Sequence, residues 1–313
     1  MVTYRPLGRE ELRRGIELTL MRPGCGRAEL NCRVDALLRY VASMNLGIER
    51  QWGAFAGDRL VASCLCVESP GRSGMIFLPA LSGAGYDASV VTELLRRVAA
   101  DAEQRNLCLL QVMVEPGSRD EDAVLAAAGF SKLADLIYME REAGLLFPAS
   151  PASGQISWVT YDAERHAIFA ATVEGTYEDS LDCPGLNALR TIEDILASHR
   201  ATGEYDARCW FLALCDGEPA GALLLARVPE QDTMEIVYMG LLPRFRGQGI
   251  GRHFMHQAVK VARDHGCSRL TLAVDSTNAP ALQLYQRAGF AETTRRRAWI
   301  AAPQRAKQQR DSS

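Results

Sequence analysis

The residues whose types and spacing can do chemistry centre on Pro243-Arg244-Phe245-Arg246-Gly247-Gln248-Gly249-Ile250-Gly251-Arg252. An apolar run over 236–242 leads into this segment, and a helical pattern of Phe254, Ala258, Val261 and Ala262 leads out of it. The pattern predicts a strand, a glycine-rich turn and a helix. Such a junction captures anions, because the first N–H groups of a helix have no internal partner and the helix dipole is positive at that end. Glycines let the main chain approach a phosphate closely and accept positive φ. Arg246 and Arg252 add formal charge at either edge. No Gly-Lys-Ser/Thr follows, so the turn is not a Walker loop, and the spacing G-x-G-x-G is not the G-x-G-x-x-G of a dinucleotide site. Taken alone, it reads equally as an ordinary glycine-rich turn.

The neighbouring sequence separates these readings. Arg246-x-x-Gly249-x-Gly251 is followed by a buried-strand pattern, Leu270-Thr271-Leu272-Ala273-Val274, and then by Asn278-Ala279-Pro280-Ala281-Leu282-Gln283-Leu284-Tyr285-Gln286-Arg287-Ala288-Gly289-Phe290. The first segment resembles the acyl-CoA pyrophosphate loop (Q/R-x-x-G-x-G/A) of the GNAT superfamily of N-acetyltransferases. The last resembles that family's N-x-x-A-x-x-L-Y-x-x-x-G-F segment at each named position. Loop, strand and segment occur in the family's order, so the resemblance covers about residues 155–300.

The resemblance implies acetyl-CoA as the acyl donor and a primary amine of a small molecule or peptide as acceptor, with direct attack in a ternary complex. Main-chain donors of Gly247, Gln248, Gly249, Ile250, Gly251 and Arg252, beside Arg246, would hold the pyrophosphate. The strand end Met239, Gly240 and Leu241 would splay from its neighbour and pair with the pantetheine arm. Asn278 would also face the pantetheine, and it equally suits a helix N-cap just before Pro280. Tyr285 sits where the family places the acid that protonates the leaving thiolate, and a phenol stays protonated near neutrality. The alternative is a core tyrosine satisfied by backbone. Glu235, eleven residues before Arg246, is the candidate base. Strict alternation would put it on one face with Val237, Met239 and Leu241, where apolar neighbours raise a carboxyl pKa; a solvated strand start is the competing reading. The acceptor side falls on 172–185, where Tyr177, Glu178, Asp179 and Asp182 can hold a cationic amine or form a polar solvated loop.

These residues need a frame, and composition bounds it. A chain of 313 residues with 48% hydrophobic content has room for two ordinary domains. A net charge of −3 gives no case for nucleic-acid binding. No apolar run approaches a membrane span, and the first residues lack a signal-peptide core, so a cytoplasmic protein is expected. The nine cysteines are scattered without zinc-type spacing and the five histidines form no metal pattern, so free thiols and no metal are expected.

Periodicity predicts helices over 10–21 and 29–42, a hairpin of 52–56 and 60–67 about Gly57, a strand at 75–81, a helix at 89–103, a strand at 107–114, a short helix at 121–128 and a strand at 134–140. Residues 148–154 read as a linker and 304–313 as a disordered tail. The second half repeats the order. Gly57 and Gly217, and Gly129-Phe130 and Gly289-Phe290, share one offset of 160 (217 − 57; 289 − 129). At that offset Arg246, Gly249, Gly251, Asn278 and Tyr285 align with Tyr86, Ser89, Val91, Ser118 and Leu125. Packing residues persist in the first copy while the chemistry-bearing ones are replaced. A shifted register would bring Gly83 and Gly85 to the loop position.

The expectation is therefore an α/β protein, mixed α+β in each half, of two tandem GNAT-like domains: 1–147 degenerate, 155–303 catalytic. Mycothiol synthases are similar in tandem layout, which admits an aminoglycosyl-cysteine-like acceptor. A non-catalytic acyl-CoA-binding or sensing protein is the alternative of a different class.

Overall fold

The computed structural model describes residues 1–43, 46–48, 50–81, 87–145, 147, 155–186 and 189–303. The expected linker 148–154, the tail 304–313, and Gly83, Gly85 and Tyr86 lie outside the described residues. The chain forms two compact units, residues 1–133 with 297–313, and residues 134–296.

The first unit opens with β1 (Val2–Pro6), α1 (Arg9–Leu20) and α2 (Arg27–Ser43). The hairpin β2 (Trp52–Ala56) and β3 (Arg59–Ser69) follows, then β4 (Ser73–Phe77), α3 (Ala88–Gln104), β5 (Leu109–Val114) and α4 (Arg119–Ala127). β1, β2, β3 and β4 pair antiparallel in that order, and β4 pairs parallel with β5. Val91, Leu94, Leu95 and Val98 of α3 cover one sheet face, and Ile16, Leu30 and Val34 of α1 and α2 belong to a second apolar cluster with Leu65 and Val67 of β3. Sheets buried on both faces read as long apolar runs, which is why β3 carries Leu65-Cys66-Val67 in succession.

The second unit contains β6 (Ser131–Glu142) from residue 134 onward, β7 (Ile156–Thr160), α5 (His166–Gly175), α6 (Ile192–Arg200), β8 (Trp210–Cys215), β9 (Glu218–Val228), β10 (Thr233–Leu241), α7 (Ile250–Asp264), β11 (Arg269–Asp275), α8 (Ala279–Arg287) and the start of β12 (Ala291–Ala301). Ile250, Phe254, Ala258 and Val261 of α7 pack with Met234 and Ile236 of β10, while Phe169, Val173 and Leu196 of α5 and α6 pack with Trp210, Leu212 and Leu224. The repeat holds to the residue at its turns. Gly57 and Gly217 have φ of 61° and 86°, and Gly129 and Gly289 have φ of 91° and 85°, a region that favours glycine.

The bounds expected from sequence, 1–147 and 155–303, follow this repeat, and the compact units cut across it by one strand. β6, coded in the first half, pairs with β11 from Leu136↔Asp275 to Glu142↔Arg269 inside the second unit. The end of β12, coded in the second half, pairs with β5 from Arg297↔Val114 to Ala301↔Leu110 inside the first. Each exchanged strand carries a buried anchor. Arg141 of β6 donates to the carbonyls of Ala288, at the end of α8, and Leu145. Arg297 ion-pairs with Asp122 of α4, and Trp299 Nε1 donates to Asp122 Oδ1 at 3.0 Å.

Candidate active site

β10 is the element from which the site is built. It pairs parallel with β11 over only three residues, Thr233 to Glu235, and antiparallel with β9 along its full length. Beyond Glu235 the β11-side edge of β10, Val237 to Leu241, pairs with no strand among the described residues. A bulge between Ile236 and Tyr238 breaks the side-chain alternation. Met234 and Ile236 point to the α7 face, Val237 and Tyr238 both join the α5 cluster, and Met239 and Leu241 return to the α7 face. The expectation that Glu235 shares a face with Met239 and Leu241 is thereby corrected, because the extra residue resets the period-2 pattern. Gly240 sits where a Cβ would meet Tyr238 Oη at 2.6 Å and Thr176 Oγ1 at 2.7 Å, which leaves room for no side chain.

The turn after β10 ends in α7, whose N-cap is Gly249 at φ 80° with no side-chain cap. Gly247 has φ 74°, and a Cβ at either glycine would meet nothing within 4 Å. The N–H groups of Gly247, Gly249, Ile250 and Gly251 donate to no carbonyl or side chain among the described residues. These four donors lie at the positive end of a helix, with open space beside Gly247 and Gly249. Arg252 has no carboxylate partner among the described residues and lies over the Phe147 ring at 5.7 Å.

Arg246, which the sequence places among phosphate ligands, is occupied otherwise. Its Nε donates to the Leu241 carbonyl at 3.0 Å, Nη1 to Asp179 at 3.0 Å, and Nη2 to Thr176 at 2.9 Å and Glu178 at 2.7 Å. The guanidinium binds the turn after α5 to the end of β10. Glu178 and Asp179 serve here through their carbonyls, and both residues are exposed.

Asp182 and Tyr177 do come to the site. The Asp275 N–H donates to Asp182 Oδ1 at 3.0 Å, which turns that carboxylate inward although the residue as a whole is exposed. Burial raises the Asp182 carboxyl above its ordinary range, and the Asp275 carboxylate pushes the same way while its N–H opposes them. Tyr285, 7% exposed on α8, makes no hydrogen bond among the described residues, yet its hydroxyl is not sealed from solvent. Burial raises its phenol, with Asp182 and then Tyr238 adding to the effect. Tyr238 bonds Thr176 Oγ1 and packs its ring 5.4 Å from both Tyr177 and His199; burial pushes its phenol up to about 12. Burial, then Arg190, lowers His199 to about 3, so it is neutral at physiological pH.

Glu235 lies apart from this group. Burial alone raises its carboxyl, and the titratable neighbour whose pKa it raises is Tyr138 of β6. Asn278 caps α8, its Oδ1 accepting from the Ala281 N–H at 3.3 Å. Its amide N–H groups are not needed for that bond.

The corresponding places in the first unit differ. α3 is capped by Asp87, whose carboxylate accepts from the Ser89 N–H at 2.8 Å. A cleft of about 380 Å³ between α3 and α4 has Ser89, Thr92 and Asp120 in its wall. A carboxylate occupies the helix end that stays open in α7.

Residues 173–290 match the family described as Acetyltransferase (GNAT) family. The match lies within the second unit. Mycothiol acetyltransferase of Beutenbergia cavernae is 34% identical over 155 residues, 48% of this chain and 49% of that protein. The chain thus spans about half the length of the curated relatives it matches first. A GCN5-related N-acetyltransferase from Sphaerobacter thermophilus superposes over 96% of this chain and 95% of its own, with TM-score 0.61 and 18% identity. A tandem GNAT protein from the clavulanic acid biosynthesis pathway covers 97% and 99%, with TM-score 0.54 and 16% identity. The fold across the chain is that of two GNAT units in tandem.

The sequence did not single out Tyr238, Thr176, Asp275 or His199. Tyr238 enters the site only through the bulge. Asp275 ends a strand whose apolar run drew the reading.

Proposed function

We propose that the second unit transfers an acetyl group from acetyl-CoA to an amine. The observation that carries this reading is the run of unpartnered N–H donors at the uncapped start of α7, beside a strand whose edge opens beyond Glu235. The residues fit the donor molecule. Gly247, Gly249, Ile250 and Gly251, with the charge of Arg252, suit a pyrophosphate, and the free edge at Met239 to Leu241 suits the amides of a pantetheine arm. When bound, acetyl-CoA supplies the thioester that carries the acetyl group.

The chain's own groups have three tasks. A carboxylate takes a proton from the ammonium of the acceptor, a main-chain N–H at the open edge of β10 steadies the carbonyl oxygen, and the Tyr285 hydroxyl donates to the departing sulfur. Tyr285 suits its role because its raised pKa keeps the proton in place. Glu235 is our base from sequence. Asp182 is a second candidate, since its charge reaches Tyr285 and its carboxyl is raised. Tyr177, Tyr238 and Asp182 form the wall offered to the acceptor, an aromatic and acidic surface suited to a cation. The first unit is read as a non-binding copy, its helix end held by Asp87.

The test is thiol release from acetyl-CoA by the full chain across a panel of amines, with calorimetric titration of acetyl-CoA alongside. Turnover of any amine with one tight donor site supports the reading. Tight binding without thiol release from any amine supports the non-catalytic sensor instead. The match to mycothiol acetyltransferase favours including an aminoglycosyl-cysteine in the panel.

A further inference from the structure

We infer that Asp206, Cys209 and His265 form a binding site for a divalent, zinc-like metal ion at the far end of α7. One ligand atom from each lies within 4.8 Å of the others. Cys209 and Asp206 belong to the short turn before β8, and His265 is the C-cap of α7, so the three come from two elements of the second unit. No regular spacing joins them, which is why the sequence shows no metal motif.

The chemistry of the donors favours an ion over a plain hydrogen bond. His265 Nδ1 lies 2.8 Å from the Val261 carbonyl, so Nδ1 carries the proton and Nε2 presents a lone pair. That lone pair faces Cys209 Sγ at 3.5 Å. Zinc bonds of about 2.3 Å to sulfur and about 2.0 Å to nitrogen, at a tetrahedral angle, separate those two atoms by about 3.5 Å. The Asp206 carboxylate adds an acceptor-only group. Asp206 already accepts from the Arg208 backbone N–H and guanidinium and would share its carboxylate with the ion, while a cation can take the lone pairs of Cys209 and His265 together. Arg208 holds Asp206 from the outside, Nη2 to Oδ2 at 2.7 Å, and with its side chain 84% exposed it can swing away or remain as an outer support. His265 is exposed, so an ion has a path in and solvent can fill the fourth position.

Binding breaks the Cys209 S–H bond and forms a sulfur–metal bond, with the proton released to solvent. The site lies about 22 Å along α7 from the glycine turn, so it is separate from the proposed acetyl-transfer site and does not depend on that reading. Its effect would be to fasten the C-terminal end of α7 to the start of β8.

The test is titration of the chelator-treated full chain with Co²⁺ and then Zn²⁺. One equivalent of Co²⁺ should produce a thiolate-to-cobalt charge-transfer band in the near ultraviolet, which Zn²⁺ abolishes by displacement, and Zn²⁺ should raise the melting temperature. His265→Ala and Asp206→Asn, both away from the buried core, should each weaken Co²⁺ binding by about a hundredfold or more. Cys209→Ser should lose the band. Absence of the band in the parent protein overturns the proposal. So does a band of unchanged affinity in His265→Ala, which would assign it to other cysteines.

Discussion

The Asp182 carboxylate, held by the Asp275 N–H, raises the pKa of the Tyr285 phenol beyond what burial alone does. The pair joins the turn after α5 to α8, two elements separated in sequence by the whole of β8 to β11. A phenol so placed holds its proton through the physiological range. Tyr285→Phe should lower kcat by about 10²–10⁴-fold while acetyl-CoA affinity, read by calorimetry, stays within about twofold. Loss of affinity equal to the loss of rate would make Tyr285 a packing residue.

The two carboxylates can be told apart by pH. A base works deprotonated, so kcat/KM should fall as pH drops through its raised pKa. Only the variant of the true base, Glu235→Gln or Asp182→Asn, should erase that ascending limb. If both variants keep it, the proton leaves by another route.

Stability gives an independent reading of Glu235. Its folded pKa lies above the ordinary value of 4.5, so the native state binds more protons than the unfolded state between the two values. The sign is therefore a loss of stability as pH rises through that window and no further change above it. Glu235→Gln should raise the melting temperature at pH 7 and lose this advantage below pH 4. A lower melting temperature at pH 7 would mean that the carboxylate is compensated.

Arg246 should behave as a strut. Four hydrogen bonds to main-chain carbonyls from one planar group are not reproduced by an ammonium. Arg246→Lys should cost about 1.5–3 kcal/mol in denaturant unfolding and make the peptide around 176–179 more susceptible to proteolysis. A variant of unchanged stability with weakened acetyl-CoA binding would restore the phosphate role that the sequence suggests.

Gly249 stands in open space at the start of α7, so a large side chain there covers the N–H donors without displacing any core atom. Gly249→Trp should abolish acetyl-CoA binding while the unfolding free energy drops only by the strain of positive φ, about 1–2 kcal/mol. Retained affinity would sink the assignment of the turn.

The repeat was legible because turns are local. Gly57, Gly129, Gly217 and Gly289 mark positive φ in both copies, and their offset carried the tandem architecture. The glycine turn and the Tyr285 segment were legible for the same reason. The face of Glu235 was not, since one bulged residue at Val237 changes every later side chain on β10 while leaving the composition untouched. Nor was the use of Arg246, because three of its partners lie 67 to 70 residues away and all are main-chain carbonyls that no side-chain pattern reports. Strand exchange was hidden too: β6 and β12 have the same pattern whichever neighbour they join.

That exchange sets an order in time. The first unit needs Arg297, Trp299 and their strand, so during synthesis its sheet stays one strand short until the chain has passed residue 301. Its neighbour meanwhile waits on nothing later than its own last strand, having received β6 early. A ribosome releases the N-terminal half long before that half can finish, and a chain cut between residues 148 and 154 yields two pieces that each hold the other's missing edge. Mixed together, those pieces should find one another and fold as a pair; kept apart, each should expose β5 or β11 as an unpaired strand and aggregate.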